Sequence, residues 1–119
     1  PMLAPHETIP NRNTGLYCIE PLGYLDFLRL MSKARIVLTD SGGIQEETTM
    51  LGVPCVTLRT STEWVETVEA GWNSLAGDDP ELIARAVAEA SPQKERPPLY
   101  GDGHAADRIA DLLCTMSAR

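Results

Sequence analysis

Aromatic residues are scarce: one Phe, two Trp and three Tyr amount to 5% of 119 residues, so the core is aliphatic and of modest size. Basic residues are outnumbered, with 10 Lys and Arg against 17 Asp and Glu and a formal net charge of −7. That balance argues against nucleic acid or an anionic membrane surface as partner, because a phosphate-backbone binder needs clustered cations. Any anionic ligand must therefore be held by local geometry. Cysteine is present three times, at Cys18, Cys55 and Cys114, an odd number with no metal-ligand spacing. Two of these fall in apolar strand-like runs, which predicts buried thiols in a reducing cytoplasm rather than a disulfide framework. No run approaches the roughly 18 apolar residues that span a membrane, and no signal peptide is visible. The expectation is a cytoplasmic α/β domain without metal ligands.

What is present centres on Thr39-Asp40-Ser41-Gly42-Gly43-Ile44-Gln45-Glu46-Glu47. Ile36-Val37-Leu38 reads as a buried strand ending in a Ser-Gly-Gly turn that opens directly into a helical pattern. Gly42 and Gly43 allow a sharp turn and a close approach to a ligand. The first turn of the helix presents unpaired N–H groups and a partial positive charge, which suit a phosphate, and the Ser41 hydroxyl adds a donor. Glu47 lies about four residues further on, roughly 6 Å along the axis. From there a carboxylate can hold the paired hydroxyls of a ribose. The same pattern also serves as a plain strand-to-helix connection, with Glu46 and Glu47 as favourable first-turn charges.

Around this stretch the chain alternates strand and helix. Residues 1–15 hold three prolines and no apolar period, and they read as an irregular arm in which His6 is a surface histidine. Residues 16–119 form the domain. A strand is expected at Leu16-Tyr17-Cys18-Ile19, a helix over Tyr24 to Lys33, a strand over Arg35 to Thr39, and the motif helix up to Leu51, closed by Gly52. A strand at Cys55 to Leu58, a short helix over Glu63 to Ala70 and a brief strand at Asn73-Ser74-Leu75 follow. Asp79-Pro80 starts a helix, Ser91 to Pro98 interrupts the pattern, and a last helix runs from about His104 to Met116. Such alternation implies a parallel sheet with right-handed crossovers, covered on both faces, with ligands beyond the carboxyl ends of the strands. Asp102 reads as the cap of the last helix and His104 as its first turn. The apolar faces of that helix and of Tyr24 to Met31 predict association.

Four spaced motifs occur together and in order: Asp40 to Glu47, Leu51-Gly52-Val53-Pro54, Thr62 to Gly71 with Glu63-Trp64-Val65-Glu66 at its head, and Tyr100-Gly101-Asp102-Gly103-His104-Ala105. Over about Leu16 to Leu113 the chain resembles the carboxyl-terminal part of the non-hydrolysing UDP-N-acetylglucosamine 2-epimerases. The resemblance implies most of the second Rossmann-like domain of a glycosyltransferase-B-type fold, with the nucleotide-sugar held between two domains. It implies that Ser41, Gly42 and Gly43 hold the diphosphate, that Glu47 holds the ribose, and that Phe27 lies beside the uracil. By residue pattern alone, a residue on such an apolar helical stripe as Phe27 is more often core.

The resemblance further implies an isomerase of cell-envelope polysaccharide biosynthesis. Such an enzyme inverts carbon 2 by eliminating and re-adding UDP, with no nicotinamide or metal cofactor. The family's acid/base groups lie upstream, so no catalytic residue is assigned to this chain, which is expected to be inactive alone. Its expected partners are a UDP-sugar, the missing amino-terminal domain and further copies of itself. Where the family often has Glu-Arg-Pro-Glu, this chain has Trp64-Val65 between its glutamates, so one ligand-facing arginine is absent and the sugar is left open. The donor domain of a UDP-sugar glycosyltransferase and a non-catalytic UDP-sugar-binding module are the alternatives.

Overall fold

The structure, a computed structural model, describes residues 15–91 and 95–118. Except for Gly15, the expected arm lies outside the described residues, as does His6. The described residues form α1 Tyr24–Lys33, β1 Val37–Thr39, α2 Gly42–Leu51, β2 Cys55–Thr57, α3 Val65–Glu69, β3 Asn73–Leu75, α4 Pro80–Glu89 and α5 Ala105–Ser117. The three strands pair in parallel in the order β1-β2-β3, with Val37, Cys55 and Asn73 in register. This is the expected α/β fold with a parallel sheet.

Local chemistry accounts for most of these boundaries. Gly52, at φ 71° and ψ 36°, ends α2 in a left-handed turn whose N–H reaches the Thr48 and Thr49 carbonyls. Asp79 caps α4 by accepting from the N–H groups of Glu81 at 2.8 Å and Leu82 at 3.3 Å, and Pro80 supplies the preset first-turn φ. Asp102 accepts from the His104 N–H at 3.1 Å and also pairs with Arg108, fixing the start of α5.

One expected strand is absent. Leu16-Tyr17-Cys18-Ile19 forms no ladder, and Leu16, Tyr17 and Ile19 are exposed. A strand exists only through a partner, and among the described residues no strand lies beside this segment. The expectation for the thiols is corrected as well: Cys18, on this unpaired segment, and Cys114, on α5, which has no buried residue, are exposed, and only Cys55, in the central strand, is buried. The two-sided cover of the sheet is uneven. α2 and α3 pack closely on the face that carries Thr57 and Asn73, whereas α4, which meets β2, has no buried residue. On α5, Ile109, Leu112, Leu113 and Met116 are all exposed.

The interior is polar for so small a sheet. Val56 is fully buried and worth about 1.5–3 kcal/mol. Beside it, however, Gln45, Thr48, Thr57 and Thr67 are equally inaccessible. Such groups are tolerable only when hydrogen-bonded, and they are. The Asn73 Oδ1 accepts from the Thr57 hydroxyl at 2.7 Å, and its amide donates to Gln45 Oε1 and Thr67 Oγ1, both at 3.0 Å. Thr62 donates to the same Gln45 oxygen at 2.6 Å, while Gln45 Nε2 donates to the Ser41 carbonyl at 3.3 Å.

Replacing Asn73 with Leu leaves three buried partners short and should cost about 2–4 kcal/mol in urea unfolding. A loss below about 1 kcal/mol would show that the network is dispensable. The loop before α5 provides a second test. Burial, then the hydrogen bond to Glu66, then the charges of Glu66 and Glu46, push the Tyr100 phenol up to about 12. Because this folded value lies above the usual value of about 10, its contribution is present below pH 10 and is lost as pH rises through about 12. Thermal melts should therefore fall over that window, and Tyr100→Phe should fall less steeply; parallel curves would exclude Tyr100 as the cause.

Candidate functional site

The site is built at the carboxyl ends of β1 and β2. After Thr39 the chain leaves the sheet, and the Ser41 N–H turns back to the Thr39 hydroxyl at 3.0 Å. This side-chain turn, rather than a glycine conformation, makes the bend: Gly42 and Gly43 are the first residues of α2 and neither has a positive φ. Ser41 is the N-cap, but its hydroxyl makes no capping bond, so it and the first-turn N–H groups are uncommitted to one another.

The glycines matter for approach. A Cβ on Gly42 would lie 2.5 Å from Glu63 Oε1 and 3.0 Å from Trp64 Nε1, so the segment Thr62 to Trp64 closes against the loop on that side. A Cβ on Gly43 would meet nothing within 4 Å, so this second residue borders open space. Among the described residues, Trp64 Nε1 is the one buried side-chain polar atom without a hydrogen-bond partner. Its ring meets Tyr100 edge-on, with centroids 6.3 Å apart.

One turn into α2, Glu47 is half-buried and accepts from the Tyr24 hydroxyl of α1 at 3.1 Å. That bond, then the charge of Glu47, raises the Tyr24 phenol above its ordinary value. Phe27, one turn beyond Tyr24, is half-buried and lines a groove of about 340 Å³ with Met31, Ile36, Thr39 and Ile44. The structure therefore brings Phe27, Ser41, Gly42, Gly43 and Glu47 to the region where β1, the amino end of α2 and α1 meet. His104 and Asp102 are engaged with each other and with Asp107 and Arg108 at the start of α5.

Anionic groups dominate the flank of α2. Burial, then Glu66, then Glu47 raise the Glu46 carboxyl. Glu63 is held below the usual carboxylate range by a hydrogen bond from its own backbone N–H and then by Arg59. The Arg59–Glu63 pair, and the Gln45, Thr62 and Asn73 bonds behind the loop, were not legible as site features. Asn73 did carry a signal, because asparagine is disfavoured in strands and needs a specific reason to be there.

Among the described residues no helix is long and apolar enough to cross a membrane, and no three His, Cys, Asp or Glu side chains are placed to share a metal. The family model described as UDP-N-acetylglucosamine 2-epimerase matches residues 3–114. A UDP-N-acetylglucosamine 2-epimerase from Methanocaldococcus jannaschii is 48% identical over 103 residues, covering 85% of this chain and 28% of that protein. A UDP-2,3-diacetamido-2,3-dideoxy-D-glucuronate 2-epimerase from Pseudomonas aeruginosa is 41% identical, covering 82% of this chain and 28% of that one. The M. jannaschii UDP-GlcNAc 2-epimerase in complex with UDP-GlcNAc and UDP superposes with a TM-score of 0.74 at 44% identity, covering 87% of this chain and 29% of the other. The chain thus spans a little over a quarter of the length of these relatives. With a family match across nearly all of its residues and a shared fold at this identity, the chain belongs to the UDP-N-acetylglucosamine 2-epimerase family.

Proposed function

We propose that this chain is the UDP-holding part of a UDP-sugar 2-epimerase. The observation that carries the proposal is the convergence of Phe27, Ser41, Gly42, Gly43 and Glu47 at one end of the sheet, in a chain 44% identical to a structure that contains UDP-GlcNAc and UDP. The uncapped first turn of α2 and the Ser41 hydroxyl hold the diphosphate. Glu47, preset by Tyr24, takes the ribose hydroxyls, and Phe27 in its groove lies beside the uracil.

In the intact enzyme a base removes the carbon-2 proton, the bond from carbon 1 to the diphosphate oxygen breaks, and UDP departs. It then re-adds to the unsaturated sugar as a proton returns to the opposite face. The groups in this chain act on the leaving UDP, and the acid/base groups come from the missing amino-terminal domain. The exposed apolar side of α5 is suited to further protein surface, either that domain or another copy. Both an N-acetylglucosamine and a diacetamido-glucuronate epimerase match this chain comparably, so the sugar class is a UDP-2-acetamido sugar. Against a glycosyltransferase donor domain stands the match to an epimerase model over residues 3–114.

The 119-residue chain should not interconvert UDP-N-acetylglucosamine and UDP-N-acetylmannosamine. Turnover of about 1–1,000 per second would place the acid/base groups within it. It should nevertheless bind UDP weakly, with Kd about 1 mM, or some −4 kcal/mol. Glu47→Gln should cost about 1.5–3 kcal/mol and remove the preference for UDP over deoxy-UDP, while Gly43→Val should abolish binding by filling the open side of the loop. NMR titration decides between outcomes: shifts that bypass residues 41–47, or an undiminished ribose preference in Glu47→Gln, would exclude the assignment.

A further inference from the structure

The loop at Ser41-Gly42-Gly43 is flanked by a carboxylate, which is an odd neighbour for a diphosphate. Glu63 Oε1 lies where only the absence of a Cβ on Gly42 admits it. The carboxylate is gripped as a fork by Arg59, with Nη1 donating to Oε1 at 3.3 Å and Nη2 lying 3.2 Å from Oε2. Arg59 stands just past β2, at the same end of the sheet as the loop. The backbone bond from the Leu58 N–H to the Thr39 carbonyl, 2.8 Å, holds the two strand ends together there. A guanidinium fork fits a phosphate as well as it fits a carboxylate. The ion pair is open to solvent, with the Arg59 and Glu63 side chains 38% and 53% exposed, so exchanging one anion for another costs little.

Resting on the UDP assignment above, we propose that Arg59 is a diphosphate-binding cation of this site and that Glu63 is an internal anion competing with the diphosphate for it. The pair meets two needs at once. The chain has no arginine in the Glu63-Trp64-Val65-Glu66 segment, yet a −7 chain with Glu46, Glu47 and Glu66 along α2 and α3 needs a cation near its anion site. A permanently free arginine at that point would hold any phosphate. With Glu63 on its fork, Arg59 goes to a ligand only in competition with that carboxylate, and a nucleoside diphosphate, which also gains the α2 amides and Glu47, competes better than phosphate alone.

The test is NMR titration of the chain and its variants with UDP and with uridine, which shares the base and ribose but carries no phosphate. Glu63→Gln should tighten UDP about threefold to tenfold, and Arg59→Gln should weaken it about tenfold, with Arg59→Lys between. Uridine should bind all of them alike. A structural role cannot give this pattern, since a damaged fold would not improve UDP binding and would not spare uridine. Unchanged or weaker UDP binding by Glu63→Gln, or an equal loss of UDP and uridine in Arg59→Gln, overturns the roles given to this pair while leaving UDP binding in place. Failure of the unaltered chain to shift at residues 41–47 with either ligand overturns the UDP assignment itself.

Discussion

The side-chain amide of Gln45 is the constraint on which the rest of this structure depends. It has no accessible surface, so both its ends must find partners within the protein. Its oxygen takes Thr62 and Asn73, and its nitrogen reaches the Ser41 carbonyl. Through those bonds one residue of α2 fixes three things that sequence distance separates: the exit of β1, the segment that leads into α3, and the start of β3. An aliphatic side chain of the same volume would fill the space but would not choose among sliding arrangements of these pieces. A fully satisfied polar network does choose, because each misregistration strands a buried donor or acceptor. The hydroxyls of Thr48 and Thr49 close on the Gln45 carbonyl and stiffen the same turn of α2.

The electrostatic problem is the converse of the packing problem. In a chain of net charge −7, the amino terminus of α2 has Glu46 and Glu47 along its helix and Glu63 beside Gly42. The helix field fades within a turn, and solvent weakens it further. The acidic groups are therefore managed singly. Tyr24 is bound to Glu47, Tyr100 to Glu66 and Arg59 to Glu63, while the Glu46 carboxyl is pushed up. The Tyr24 bond ties α1 to α2 and the Tyr100 bond ties the loop before α5 to α3, while the Arg59–Glu63 pair lies within the loop between β2 and α3.

Several apolar surfaces of the described residues are left uncovered. β1 is an edge strand with Leu38 exposed, α5 shows its aliphatic side to solvent, and Leu16 to Ile19 lie unpaired. Left exposed, such surfaces contribute no hydrophobic stabilisation. The interior that does form is held by hydrogen bonds to an unusual degree for its size.

Features encoded by near neighbours were legible in the residues alone. Gly52 after an apolar helical run, Asp79 before Pro80, and the stripe from Tyr24 to Met31 set α2, α4 and α1 almost to the residue, because caps and helical periods act within one or two turns. The strand-to-helix turn with its two glycines was legible for the same reason. What depended on contacts between distant residues was not. The strand expected at Leu16 needed a neighbour that these residues do not supply, and the burial of Cys18 failed with it, while Cys114 sits on a helix, α5, that forms but has no buried residue. Gly42 was read as allowing a sharp turn and a ligand's approach, but it has no positive φ and is the place where Glu63 and Trp64 come close. Only the folded chain sets Gln45 against Asn73 and Thr62, and Arg59 and Glu63 against the loop. Those meetings depend on which strand lies beside which, and strand order is decided by shared burial across the whole sheet rather than by any local pattern of residues.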